Sequence, residues 1–387
     1  MRILLKRLGR WLDKTWRTHR PVLLPTFYRA YRDLKQRAVP IPKGAQLLIV
    51  FDLRNNRVDG PQGRRFYNLA TMWIKAGYHP VFIDRQRFLA NPRANFKARV
   101  FKHHFSLIND LSDLAPYIKQ SVVLTDQSVA AHPFRQQALA IMEISLAVGP
   151  PQQGDEHAWP FPMFPIIYDE HLDDSLDSAR ANDRLWTFFF GGRSSGHSYD
   201  KGWVSSIYSK VPRNRYLALV EYALEQEHIP LTQPKGGDNW QAPPQPNALF
   251  IRNEQCKIPL TQWLPTIASA RFFLACPGVR YPMSHNAIEA LAVGTVPILE
   301  YPEDFFPTLE DGKNCLTFSG EQGLLTTIQR AAHMTHDEWL SLSAGAQAYY
   351  DSYLAPKAAT QGFLSAAKEG KTVLRLVPYL KEGGGLV

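Results

Sequence analysis

The sequence predicts an α/β protein built as two parallel-sheet lobes, and three observations carry that prediction. Residues 271–300, RFFLACPGVRYPMSHNAIEALAVGTVPILE, read as strand, loop, helix and strand. An apolar run over 272–276 breaks at Pro277-Gly278, and Ile288, Leu291 and Ala292 then follow Ser284 at helical spacing. Gly294 stops that helix, and a second apolar run covers 296–299. The same order recurs near the other end of the chain, with an apolar run at 47–51 closed by Asp52, a polar loop, a helix over 64–76 and a strand at 80–83 after Gly77. Finally, 387 residues are enough for two domains, each with its own core.

Composition narrows the class. With 45% hydrophobic and 20% charged residues the chain is globular rather than disordered. Cys256, Cys276 and Cys315 are scattered and odd in number, which suits a reducing compartment and provides neither a disulfide framework nor a zinc site. No apolar run reaches the roughly 18 residues of a membrane span, and the N-terminus lacks the apolar core of a signal peptide. The net charge of +9 is concentrated: residues 1–37 hold eleven Lys and Arg against Asp13 and Asp33, and the remainder is neutral.

Within residues 1–40 the pattern is amphipathic at helical period. Leu4, Leu5, Leu8, Trp11 and Leu12 share one face, while Arg2, Lys6, Arg10, Lys14 and Arg17 line another. Such a helix suits an anionic membrane surface, where each basic residue contributes on the order of 1 kcal/mol. A basic helix packed on the protein by its leucines is the plainer alternative. Nucleic acid is not expected, because the neutral body offers no basic groove to continue the tract.

A first domain is expected over 41–170, opening after the linker Pro40-Ile41-Pro42-Lys43-Gly44. Its first loop, RNNRVDGPQGRR, lacks the G-x-G-x-x-G spacing of a dinucleotide site. Asp52, Arg57, Asp59 and Arg64 are candidates there for substrate contact. Further strands are expected at 105–108, 122–125 and 144–148, with a helix over 134–142. Asp126, ending a strand, falls at the carboxyl edge of the sheet, where parallel sheets bind ligands. The Pro- and aromatic-rich residues 149–165 approach a connection that carries Asp169, Glu170 and His171. A second domain is expected over 171–356. Its first strand, 185–190, runs into GGRSSGHSYDKG, where Gly191 and Gly192 let backbone N–H groups approach an anion and Arg193 and Lys201 can neutralise it. The tail, 357–387, is expected to pack back on the first domain.

The residues Cys276-Pro277-Gly278, Ser284, Glu289-Ala290, Gly294 and Val296-Pro297-Ile298 resemble the C-terminal half of exostosin-like glycosyltransferases, with Asn286 where that family has arginine. The Glu-Ala-x-Ala-x-Gly-x-Pro-Val element is similar to one found more widely in two-domain, GT-B sugar-nucleotide transferases. The resemblance implies two Rossmann-like domains facing a cleft, with a nucleotide-sugar donor held by the second. It implies donor contacts from Gly192, Arg193, Lys201, Arg280, Ser284, His285, Asn286 and Glu289, with Arg280 or His285 standing in for the missing arginine. Ser284 can cap the helix, whose unpaired N–H groups suit a diphosphate. Glu289 has the two acceptor oxygens that ribose or sugar hydroxyls require.

Transfer with inversion also needs a base for the acceptor proton. Asp59, Asp126 and His171 are the leading candidates, with Asp52 and Asp169 beside them, and retention would require none. No metal is expected, since no Asp-x-Asp stands alone in a loop at a strand end, and no cofactor beyond the donor. The acceptor implied is a saccharide or lipid-linked saccharide at the cytoplasmic face of the cell membrane. A non-catalytic sugar-nucleotide-binding protein of the same fold is the alternative, with an epimerase or phosphorylase a more distant one.

Overall fold

The computed structural model describes residues 12–377 except 13–14, 17–18, 45–46, 91–94, 148, 150–153, 195–201, 237–246 and 280. The first strands are Leu48–Asp52 (β1), His79–Ile83 (β2), Ser106–Ile108 (β3), Ser121–Thr125 (β4), Ala140–Ser145 (β5) and Glu156–Trp159 (β6). They are followed by Trp186–Gly192 (β7), Leu231–Thr232 (β8), Ala248–Arg252 (β9), Ala270–Leu274 (β10), Val296–Leu299 (β11) and Leu316–Thr317 (β12), and by Val373–Leu376 (β13) near the end of the chain. One sheet has the order β3-β2-β1-β4-β5-β13-β6 and the other β12-β11-β10-β7-β9-β8. The pairings are parallel throughout both sheets.

Both sheets are doubly wound. From β1 the chain builds outward through β2 and β3, then returns to add β4 on the other side; from β7 it runs out to β8, comes back to place β9 between β8 and β7, then crosses to add β10 on the other side. The order therefore reverses between β1 and β4 and again between β7 and β10, and each reversal opens a crevice at the carboxyl ends of its two strands. β1 and β4 are buried along their whole length, as strands covered by helices on both faces must be. Two such sheets joined through residues 160–185 form the GT-B arrangement.

Two segments differ from the sequence reading. The helix expected over 134–142 is absent: 134–139 is turn, and Ala140 begins β5, which ends at Ser145. Pairing decided this, because Ala140, Ile141 and Met142 stand in register with Val122, Val123 and Leu124 of β4 and bury apolar side chains between strands already in place. The second is the C-terminal segment, which supplies a strand as well as a packed helix. Helix Pro356–Lys368 sets Phe363 edge-on against Trp73, 5.0 Å between ring centroids, and Trp73 stacks on Trp159 at 5.2 Å. β13 then enters between β5 and β6, pairing Leu374 with both Ile144 and His157. Arg375 is buried there, and its guanidinium donates to Ser145 Oγ at 2.9 Å and Gly149 O at 3.0 Å.

Most of the amphipathic N-terminal face read from the sequence lies outside the described residues. The helix Pro25–Arg37 that follows it buries Phe27 and Leu34 against the first lobe. Tyr31 and Lys35 both bond the Asp84 carboxylate, and Arg37 donates to Phe101 O.

Candidate functional site

The crevice of the second sheet holds a cavity of about 270 Å³ lined by Phe164, Gly191, Gly192, Asn253, Lys257, Ile258, Leu260, Trp263, His285, Asn286 and Glu289. Its floor follows from local sequence. β7 ends in Gly191-Gly192, and a Cβ on Gly191 would lie 2.6 Å from the Trp263 ring, so only glycine lets that indole cross the strand end. Helix His285–Ala292 starts where the loop after β10 closes, and Gly294 at φ +74° turns the chain out of it into β11. Asn286 ties the helix start to β7 by donating from Nδ2 to Gly191 O at 3.0 Å.

Glu289 is 1% exposed, and both of its oxygens are held by neutral donors. Oε1 accepts from the Phe164 N–H at 2.9 Å and Oε2 from Trp263 Nε1 at 2.6 Å. Burial pushes its pKa up to about 7; the two hydrogen bonds favour the ionised form but do not outweigh it. His285 lies one helical turn earlier. Its ring stacks on Phe161 with centroids 4.3 Å apart, and Nδ1 is 2.8 Å from Pro162 O. A nitrogen facing a carbonyl must carry the hydrogen, so Nε2 presents a lone pair, and that buried atom has no hydrogen-bond partner. Burial drives the His285 pKa down to about 4, only partly offset by the backbone of Pro162 and Met163, so the ring is neutral at physiological pH. Glu289 and the neutral His285 ring, one helical turn apart, thus line the same cavity.

The other residues singled out from sequence fall as follows. Ser284 occupies the N-cap position without a side-chain capping bond, and its hydroxyl instead meets that of the buried Tyr301. Gly192 lines the cavity, whereas the Arg193 side chain is exposed and its carbonyl accepts from Arg213 Nη1 at 2.8 Å. Lys201 and Arg280 lie outside the described residues.

None of the three leading base candidates borders this cavity. Asp59 is buried in an ion pair with Lys97, 2.9 Å away. Asp126 accepts from the Arg54 and Asn55 backbone N–H groups and from Asn55 Nδ2 at 3.0 Å, which folds the loop after β1 onto the end of β4. His171 is exposed at φ +54°, 3.6 Å from Asp174. Asp169 accepts from Tyr67 and Arg99, across the connection between the lobes. Asp52 sits in the first sheet's crevice, 2.5 Å from Arg85 Nη1 and 3.3 Å from His132 Nε2.

Sequence reasoning missed Phe164, Asn253, Lys257, Ile258, Leu260 and Trp263. Five of the six follow β9, the strand beside β7, so the strand order would have pointed to them. Trp263 carried its own signal, as a lone indole on a short helix, since buried indole N–H groups seek an acceptor.

No known family model matches the sequence, and no curated protein matches it. Among solved structures the chain is similar to the N-terminal domain of trehalose-6-phosphate phosphatase from Candida albicans, at 10% identity over 86% of this chain and 100% of that one, with a TM-score of 0.41. It is also similar to HepE from Anabaena in complex with UDP (13% identity, 84% and 100% covered, TM-score 0.38) and to a glycosyltransferase from Rickettsia africae (11% identity, 84% and 98% covered, TM-score 0.37). At these values the likenesses carry no argument, and the fold rests on the two strand orders.

Proposed function

We propose that the protein is a glycosyltransferase of exostosin-like, GT-B type that moves a sugar from a nucleotide-sugar donor to a saccharide or lipid-linked acceptor, as in the assembly of cell-surface polysaccharides. The observation that carries this reading is the cavity at the second sheet's crevice, lined by the buried Glu289 together with His285, Asn286, Lys257 and Trp263. A polyhydroxylated ligand suits a lining of this kind. Sugar or ribose hydroxyls can bond a carboxylate through its remaining lone pairs, which favours the charged form of Glu289. The Trp263 ring and Ile258 offer apolar wall for a base or sugar face.

The leaving diphosphate accumulates negative charge as the glycosidic bond breaks. Lys257 on the cavity wall and the amino end of helix His285–Ala292 are suited to meet it without a metal. A hydroxyl of the acceptor would enter from the first lobe, and the base, if inversion requires one, would come from that side.

The test is a thermal-shift screen of UDP-, GDP- and ADP-sugars, followed by turnover of whichever donor binds. A ligand that binds only the folded state raises its stability with the logarithm of concentration over affinity. A shift with slow donor turnover, both lost in Glu289→Ala, is the expected result. Binding without turnover on any acceptor would favour the non-catalytic alternative, and no binding by any donor would sink the proposal.

A further inference from the structure

Between positions 12 and 28 the chain exposes five large apolar side chains: Leu12 (52%), Trp16 (49%), Val22 (49%), Leu23 (65%) and Tyr28 (55%). The other exposed large apolar residues among those described, such as Leu139, Tyr222 and Leu340, are spread along the chain. A gathered set is different, because solvent alone does not stabilise it. The inner face of the segment is already occupied, with Pro21, Phe27 and Leu34 buried against the first lobe. Following them along the segment are the exposed Arg29 and Arg32, with Lys35 and Arg37 tied to Asp84 and Phe101 O, within the 37 residues that hold all of the chain's excess charge. Apolar groups adjoining cations fit a polyanionic surface with an apolar interior just beneath it. An anionic bilayer is such a surface, whereas nucleic acid offers the charge and no interior for Val22 and Leu23. Among the described residues no helix is long and apolar enough to cross a membrane, so the contact is interfacial.

The segment is also placed with respect to the cleft. Gln86 Nε2 donates to Pro21 O at 3.0 Å, and Tyr31 and Lys35 hold Asp84. Asp84 and Gln86 follow the carboxyl end of β2, and Arg85 between them is paired with Asp52 at the carboxyl end of β1. The exposed face therefore borders the crevice edge of the first sheet.

We propose that residues 12–37 seat the protein on an anionic bilayer with this carboxyl edge toward the lipid, so that the acceptor is a saccharide on a lipid anchor drawn from the membrane surface. The acceptor class rests on the transferase reading; the seat and its orientation do not.

Flotation of the full chain with phosphatidylcholine vesicles, with and without phosphatidylglycerol, tests the seat. Binding is expected only to the anionic vesicles, reduced about thirtyfold in Arg29→Glu/Arg32→Glu from the loss of two cations alone, and reduced also in Leu23→Ser/Tyr28→Ser. All variants should keep the wild-type response to the nucleotide sugar. Equal flotation on both vesicle types, none on either, or unchanged flotation of the variants overturns the seat, as does RNA binding or self-association lost with the same substitutions. Orientation is read from energy transfer to a headgroup dye. The native cysteines are buried, so a single label on Arg54→Cys, beyond β1, is compared with one on Lys119→Cys, just before β4. Stronger transfer from position 54 is expected, and the reverse overturns the orientation. A failed donor screen with intact flotation would sink the transferase reading and leave the seat standing.

Discussion

The two lobes each place one buried carboxylate at the point where strand order reverses, and they treat it in opposite ways. Asp52 in the first lobe is enclosed by Arg85 and His132 and accepts from Thr125 Oγ1 at 3.2 Å. Burial alone would raise its pKa, but the His132 hydrogen bond and the Arg85 charge outweigh that and hold it below the ordinary value. His132 is itself fixed, since the Phe134 N–H donates to Nδ1 at 3.3 Å and leaves Nε2 to face Asp52. Glu289 in the second lobe has only neutral donors, a pKa pushed up to about 7, and a cavity in front of it. The same topology thus carries a neutralised carboxylate that closes one crevice and an uncompensated one that keeps the other chemically open. Fold places both crevices; only the residues around each decide which can take a ligand.

The largest effect expected from breaking this contrast is on function. Glu289→Gln keeps the shape but ends the charge, and catalytic efficiency on the donor identified by the screen should fall about a hundredfold, roughly 3 kcal/mol, the upper range for hydrogen bonds to a charged group. Steady-state kinetics on the purified variant measure it. A loss under threefold would mean that Glu289 only braces Trp263 against Phe164.

Asp52→Asn should leave donor binding intact and cost stability instead, about 3 kcal/mol in urea unfolding at neutral pH, because it strands the Arg85 and His132 side chains. The pH slopes of the two sites then run in opposite directions. Asp52 has a lowered pKa, so its contribution is present above its ordinary value of 3.8 and is lost as pH falls through the folded value. Glu289 has a raised pKa, so its contribution is present below 4.5 and is lost as pH rises through about 7. Relative to wild type, Glu289→Gln should therefore gain stability between those two pH values, and Asp52→Asn should flatten the acid limb. Parallel pH profiles for the two variants would erase the distinction drawn between the lobes.

How much of this was legible in the sequence differs between the lobes for the same physical reason. The unit from β10 to β11 could be read closely, because Phe272 to Leu274 is an unbroken apolar run, Gly294 ends the helix and Glu289 is the only acid on it. Fold class followed from such local patterns. β6 and β13 did not, since EHAW and VLRL interrupt their apolar character with groups that find partners only after folding, as Arg375 does at Ser145 and Gly149. Asp126 looked like a candidate base because it ends a strand, and Asp59 because it lies in the loop after β1. What satisfies each one, Lys97 from a distant helix or amides from its own crevice, depends on long-range contact that no spacing encodes. His285 was read as a stand-in cation, whereas burial against Phe161 makes it a neutral acceptor.

Gly191→Ala gives a smaller effect and tests whether the cavity depends on the close crossing of Trp263. The new methyl would meet the indole at 2.6 Å, and overpacking of this kind costs about 1–3 kcal/mol in chemical unfolding. Because Trp263 also donates to Glu289, the displaced ring should weaken donor binding in the same variant. Loss of stability with unchanged donor affinity would place the ligand elsewhere in the crevice.

The smallest effect is the most discriminating for the anion seat. Arg193 was chosen from sequence as a diphosphate contact, yet its side chain is exposed and does not line the cavity, while its backbone carbonyl is held by Arg213. Arg193→Ala should therefore change stability by no more than about 0.5 kcal/mol, the usual range for a surface side chain. Donor affinity in calorimetry should fall by less than about threefold at moderate salt, because an exposed cation acts through screened solvent. A tenfold loss would mean that the loop after β7 closes over the diphosphate when the donor binds, and that the sequence had identified a contact made only in the complex.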